Sequence, residues 1–99
     1  MKIETKHSLT NEETYKRING LFSGLQKRYP DNISNPEIKW DAGHTQMDFT
    51  MEIMTLTTSG TVYLKKSQVA LDVEVPAIAR VFSGQIESMI REELEKILS

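Results

Sequence analysis

The sequence lacks cysteine, a strong net charge and any long apolar run. Without cysteine, the chain can form neither a disulfide nor a thiolate metal site. Twelve Lys and Arg against fourteen Asp and Glu give 12 − 14 = −2, so no positive field favours nucleic acid or an anionic membrane. No apolar run reaches the roughly 18 residues of a membrane span, and the first residues do not resemble a signal peptide. We therefore expect a cytoplasmic protein with no membrane span and no nucleic-acid partner.

The length and composition predict one domain over residues 1–99. Hydrophobic residues make up 38% and charged residues 26% of the chain, which is typical of a soluble globular domain rather than a disordered one. No internal repeat or linker divides the sequence. The chain is long enough for one modest core.

The first third of the sequence predicts a strand followed by a helix. "KIETKH" (residues 2–7) alternates polar and less polar residues, as a half-buried strand does. Thr10 is a predicted N-cap, with Glu13 at the capping-box position. Tyr15, Ile18, Leu21, Phe22, Leu25 and Tyr29 form one helical stripe. Pro30 disfavours helical geometry at the residue before it, so we expect one helix that ends near Arg28.

The remaining sequence predicts four strands and a closing helix. The segments "EIKWD", "TQMDFTMEIM", "GTVYLKK" and "QVALDVEV" alternate apolar and polar residues, with turns at "AGH", "TTSG" and "KKS". Short turns between alternating strands favour an antiparallel meander. After Pro76, the closing helix has the apolar stripe Ile78, Phe82, Ile86, Met89, Ile90, Leu94 and Ile97.

These elements predict an α+β fold, a two-layer sandwich in the order β-α-β-β-β-β-α. Each strand has one apolar face and each helix one apolar stripe, so both helices are expected to cover the same face of a five-stranded, mainly antiparallel sheet. We predict the strand order 2-3-4-5-1.

Gly20 and Gly24 form a GxxxG spacing inside the first helix. The favoured interpretation is a slightly weakened surface helix, because each glycine costs about 1 kcal/mol relative to alanine.

Two blocks of the sequence resemble a known bacterial family. They are "KHSLTNEETYKRINGL" (6–21) and "SGTVYLKKSQVALDVEVPAIARVFSGQIESMIREELEKIL" (59–98), the latter with Gly84 ahead of the Ile86 and Ile90 pair. They are similar to the polyhydroxyalkanoic acid system proteins, also described as polyhydroxyalkanoate granule-region proteins. The resemblance implies a bacterial protein, some of whose relatives are encoded near polyester-storage genes. It implies no catalytic residues, because no catalytic activity is established for the family.

The two histidines are the first candidates for chemistry. His7 ends the first strand, and we expect one ring nitrogen to donate to a carbonyl of the strand-to-helix corner. A catalytic role would need a partner that the sequence does not place nearby. His44 lies between Asp41 and Asp48, a set that could bind a divalent cation weakly. An exposed turn histidine is the favoured interpretation, and we predict no metal and no cofactor.

A broader candidate site combines residues from several elements. We name as pocket or polar-site residues His7, Trp40, Met47, Met51 and Tyr63. The methionines could line an adaptable cavity, although core methionines more often fill gaps. On the outer sheet face, alternation places six acidic residues, two lysines and only one aromatic residue, Tyr63. That face opposes stacking of single-stranded RNA and is too polar to hold a polyester surface.

Two hypotheses about function remain open. The leading one is a non-enzymatic accessory or binding protein, with a storage granule or another protein as partner. The alternative is a small-molecule-binding or enzymatic domain resembling a helix-grip fold, with an apolar pocket between sheet and helices; this rests on fold analogy alone.

The apolar positions of the closing helix also spread widely towards its end. We therefore predict that any homodimer forms through residues 90–98, including Leu94 and Leu98.

Overall fold

A computed structural model describes all 99 residues, Met1–Ser99. Strand β1 (Lys2–Lys6) is followed by helices α1 (Asn11–Ile18) and α2 (Leu21–Arg28). The meander contains β2 (Ile33–Trp40), β3 (Gln46–Ile53), β4 (Leu56–Lys65) and β5 (Gln68–Glu74). A 3₁₀ helix (Ala77–Phe82) leads into α3 (Ser83–Leu98). No helix combines the length and the apolar character needed to cross a membrane.

The five strands form one open sheet in the order β1-β5-β4-β3-β2, with every neighbouring pair antiparallel. The predicted fold class and strand order are therefore confirmed. The edges are β1 and β2, as the alternating meander requires. A register shift between Ser34 and Glu37 interrupts the β2–β3 pairing, which is where Pro36 cannot donate a backbone hydrogen bond.

The predicted single first helix is divided into α1 and α2. Thr10 caps α1 by accepting a hydrogen bond from the Glu13 amide at 3.1 Å, as the capping-box spacing indicated. The break lies at Asn19 and Gly20, where the Gly20 amide bonds to the Arg17 carbonyl three residues back. Tightening of the last turn in this way ends α1 without proline. The apolar stripe predicted for the single helix runs across the break, and both short helices pack its residues on the same face of the sheet.

The predicted turn "TTSG" is wrong, since those residues belong to β4. The chain turns instead at Met54 and Thr55, both with positive φ angles of 52° and 69°, as the tight two-residue turns of hairpins require. Gly60 lies within β4 opposite Phe49. An added Cβ at Gly60 would meet the Asp72 carbonyl oxygen of the neighbouring strand and would lie 2.8 Å from the Phe49 ring. The glycine therefore admits an aromatic ring instead of forming a turn.

The core lies between the sheet and the helices. From the sheet it includes Ile3, Ile33, Met47, Phe49, Met51, Ile53, Val62, Val69, Leu71 and Val73; from the helices it includes Ile18, Leu21, Phe22, Leu25, Ile86, Met89, Ile90, Leu94 and Leu98. Leu94 is 0% and Leu98 6% exposed. The premise of a dimer through residues 90–98 is therefore wrong. The two short helices flank α3 and cover the leucines that the sequence suggested were free.

Helices α2 and α3 approach closely at Gly24. A Cβ at this position would lie 2.5 Å from a carboxylate oxygen of Glu93. Glu93 is only 4% exposed, and its other oxygen is 3.5 Å from the Arg28 guanidinium. The interpretation of Gly24 as a weak point of a surface helix is therefore wrong. Its missing side chain provides room for a buried carboxylate.

Candidate functional site

The loop between β2 and β3 is fixed by the carboxylate of Asp41. The carboxylate accepts hydrogen bonds from the Thr45 amide at 2.8 Å, the Thr45 hydroxyl at 2.7 Å and the Gln46 amide at 3.1 Å. The Thr45 hydroxyl, followed by the Gln46 amide, lowers the pKa of Asp41, because these donors stabilise the charged form. His44 adopts a left-handed backbone with φ 54° in this loop. The loop thus holds the His44 ring in a defined place.

Three rings meet where this loop contacts α1. The Tyr15 and His44 rings stack with centroids 4.1 Å apart and planes 8° apart. The Trp40 ring contacts Tyr15 edge-on at 4.7 Å. The Trp40 indole nitrogen donates to the Asn19 side-chain oxygen at 3.0 Å. The cluster of Tyr15, Trp40 and His44, called the aromatic cluster below, joins the meander to the first helix.

An open cleft of about 230 Å³ lies beside the aromatic cluster. It is lined by Asn11, Glu12, Tyr15, Gly43, His44, Thr45 and Leu64. The Tyr15 ring and Leu64 supply apolar wall, and the amide, carboxylate and imidazole supply polar groups. The cleft can therefore accommodate a small molecule with an apolar part and a hydrogen-bonding end.

The metal set considered for His44 does not form. The Asp41 carboxylate is engaged by Thr45 and Gln46, and Asp48 accepts a hydrogen bond from the Thr61 hydroxyl at 3.0 Å on the sheet. No group of three metal-binding side chains is present. His44 is exposed in the loop, as predicted, and one face of its ring stacks on Tyr15.

His7 lies at the strand-to-helix corner, as the sequence indicated. Its Nδ1 accepts a hydrogen bond from the Leu9 amide at 3.1 Å, so the ring is an acceptor rather than the predicted donor to a carbonyl. Its backbone amide bonds to the Ser67 carbonyl at 3.0 Å. The Nε2 atom is buried without a hydrogen-bond partner. His7 connects the start of α1 to the β4–β5 turn.

The other predicted site residues lie apart from one another. Met47 and Met51 are 0% and 1% exposed in the core, and none of the four pockets is lined by either. Tyr63 lies on the opposite face of the sheet, in a shallow pocket with Lys2 and Glu4. The predicted interior pocket is therefore not present. Of the five residues, only Trp40 belongs to the aromatic cluster.

The most exposed large apolar side chains lie in the 3₁₀ helix Ala77–Phe82, called the apolar turn below. Ile78 is 76%, Val81 82% and Phe82 43% exposed. The sequence placed Ile78 and Phe82 in the buried stripe of the closing helix, and this is wrong. Ala79 is the residue of this turn that is buried, at 3% exposure. A 3₁₀ helix has three residues per turn, so Ile78 and Val81 point to the same side, away from the core.

Sequence reasoning overlooked the aromatic cluster and the apolar turn. Tyr15 was assigned to the core stripe, although Asn19 four residues later could have indicated a polar face next to it. The apolar turn gave no local signal of exposure, because Ile78, Ala79, Val81 and Phe82 have a spacing that also fits one buried face of an α-helix.

Comparisons with known proteins agree with this architecture. The crystal structure of TTHA0849 from Thermus thermophilus is similar with a TM-score of 0.53 and 17% identity, over 99% of this chain and 92% of that chain. At this identity the likeness concerns the fold alone. No curated protein matches the chain significantly. The sequence model of the polyhydroxyalkanoic acid system proteins matches residues 1–98. The chain therefore belongs to the polyhydroxyalkanoic acid system protein family.

Proposed function

We propose that this chain is a bacterial, cytoplasmic accessory protein that acts by binding at storage-polyester granules rather than by catalysis. The observation that carries the proposal is the apolar turn. Its exposed side chains would suit an apolar contact outside the protein. The family match over residues 1–98 supports the connection with the storage-polyester system.

The engagement of the candidate polar residues supports binding over catalysis. The Asp41 carboxylate holds its own loop, His7 holds the corner through Leu9, and Asp48 bonds to Thr61. A catalytic group needs to reach a substrate and exchange a proton with it. These three side chains instead fix the backbone and the sheet.

The proposal is tested by following a tagged chain in a bacterium that accumulates polyester. We expect the tagged chain to co-purify with the granule fraction, and to be spread through the cell when no polyester is made. The tag alone, expressed at the same level, is the control. A tagged chain that stays in the soluble fraction of granule-rich cells would contradict the proposal.

The cleft beside the aromatic cluster favours a second candidate function, the binding of a small molecule. Its wall of Tyr15 and Leu64, with the Glu12 carboxylate and the His44 imidazole and without lysine or arginine, suits an uncharged short hydroxy ester. Titration with methyl 3-hydroxybutyrate, followed by NMR, is expected to shift the Tyr15 and His44 signals. His44→Ala is expected to abolish the change at Tyr15. Unchanged spectra at millimolar ligand would remove this candidate.

A further inference from the structure

We propose that the apolar turn docks directly on the uncharged polyester, rather than on a lipid membrane or a coat protein. This inference rests on the proposed function and identifies its contact surface and partner. Three features of the turn support this partner: its side chains, its charge and its shape.

The side chains of the apolar turn suit an aliphatic surface. Ile78 and Val81 are among the most exposed large apolar residues of the chain, and Phe82 adjoins them. Isolated exposed apolar residues are common in monomers, but three in a six-residue segment indicate a contact surface.

The charges around the apolar turn disfavour an anionic membrane. Arg80 is the charged residue of the turn, and it lines a groove of about 540 Å³ with Asp72 and Glu74. Met1, whose charged amino terminus bonds to the Val73 carbonyl, lines the same groove, so two positive groups balance the two carboxylates, and the whole chain carries −2. Anionic lipids attract clusters of basic residues, and this lining holds no such cluster, whereas an uncharged polyester requires none. Its ester carbonyls can also accept hydrogen bonds from the arginine.

The shape of the turn also favours a polymer surface. Val81, at 82% exposure, projects from the turn, whereas Ala79 is buried at 3% and fixes the segment against the fold. A projecting apolar segment on a fixed base can enter a soft surface without a matching groove, because the hydrophobic effect is not directional. A coat protein would have to supply a pocket for three side chains.

The test measures binding of the purified full chain to amorphous poly(3-hydroxybutyrate) particles by sedimentation. Vesicles of phosphatidylcholine and phosphatidylglycerol are the comparison surface. The test variant is Ile78→Ser with Val81→Ser, and the matched control is Ile38→Ser, at an isoleucine that is 39% exposed on β2. Circular dichroism and the thermal midpoint confirm that each variant is folded.

We expect the wild type and the Ile38→Ser variant to bind the particles equally well, and the double variant to bind roughly tenfold or more weakly because it loses buried methyl groups. Unweakened binding by the folded double variant would overturn the inference, as would stronger binding of the wild type to vesicles than to particles. If the tagged chain collects on granules in cells but the purified chain does not bind bare particles, this inference fails and the proposed function stands. If neither occurs, both fail.

Discussion

The contact between Gly24 and Glu93 leads to a prediction opposite to the usual rule for glycine in helices. Replacing a glycine inside a helix by alanine stabilises a protein by about 1 kcal/mol when the new methyl group meets nothing. At Gly24 the methyl group would lie 2.5 Å from a Glu93 carboxylate oxygen. We therefore expect Gly24→Ala to destabilise the protein.

The magnitude follows from what Glu93 must give up. The carboxylate is flexible enough to move, but it is 4% exposed and its hydrogen-bonding contact is Arg28 at 3.5 Å. Displacing a buried hydrogen-bonded group costs about 1–3 kcal/mol. Subtracting the propensity gain of about 1 kcal/mol leaves a net loss of roughly 1 kcal/mol in the free energy of unfolding.

Urea unfolding followed by circular dichroism measures this loss, with Gly84→Ala as the matched control. Gly84 lies in α3 and a Cβ there would meet nothing within 4 Å, so this variant should be more stable by about 0.5–1 kcal/mol. A Glu93→Ala background provides the second arm. Without the carboxylate, Gly24→Ala should become stabilising, which corresponds to a coupling of about 2 kcal/mol.

The reasoning is refuted if Gly24→Ala stabilises the protein as much as Gly84→Ala does. It is also refuted if Gly24→Ala destabilises equally in the presence and absence of the Glu93 carboxylate, because the clash would then involve some other group. A coupling of the expected sign would identify the carboxylate as the reason for a glycine at this position.

Three further predictions concern the loop, the aromatic cluster and the closing helix. Asp41→Ala should speed amide exchange at Thr45 and Gln46. Because the pKa of Asp41 is lowered in the folded protein, the stability that its carboxylate contributes is present above pH 3.8 and is lost as the pH falls through the lower folded pKa. The stabilities of the wild type and the variant should therefore converge in acid, and a difference that stays constant with pH would refute this. Trp40→Phe should cost about 1 kcal/mol in urea unfolding through loss of the hydrogen bond to Asn19, and should cost less in an Asn19→Ala background, where only the smaller ring against Tyr15 remains as a loss; an equal cost in both backgrounds would refute this. Leu94→Glu should unfold the protein, because it buries an unpaired charge at a 0% exposed position; a folded variant of lower mass than the wild type in light scattering would contradict this and support the helix dimer.

The sheet could be predicted from the sequence because alternation sets both the strands and their buried faces. In β3, Met47, Phe49, Met51 and Ile53 all face the core, and this spacing of two is independent of the rest of the fold. Short connections between such strands then leave few topologies other than a meander. The strand order followed from this pattern together with the direction of the first crossover.

The turn between β3 and β4 could not be predicted by the same reasoning. Met54 and Thr55 have positive φ angles, although neither residue type favours them. The glycine that looked like a turn residue, Gly60, instead lies beneath the Phe49 ring. The backbone pairing along the whole length of β3 and β4 outweighs the preference of Met54 and Thr55 for negative φ angles. Local turn signals fail where the register of long strands is already determined.

The candidate site was less predictable because it depends on contacts between distant segments. Tyr15 and His44 are 29 positions apart by their numbers (44 − 15) and meet because the Asp41 loop turns the imidazole towards α1. No periodicity within one element reports such a contact. The exposure of the apolar turn was missed for a different reason: the segment after Pro76 forms a 3₁₀ helix instead of the first turns of α3, so the α-helical stripe does not place Ile78 and Phe82 on the core. Its side chains remain outside the core, whereas the apolar side chains at the end of α3 are buried. The exposed apolar residues of the closing segment therefore lie at its start and not at its end.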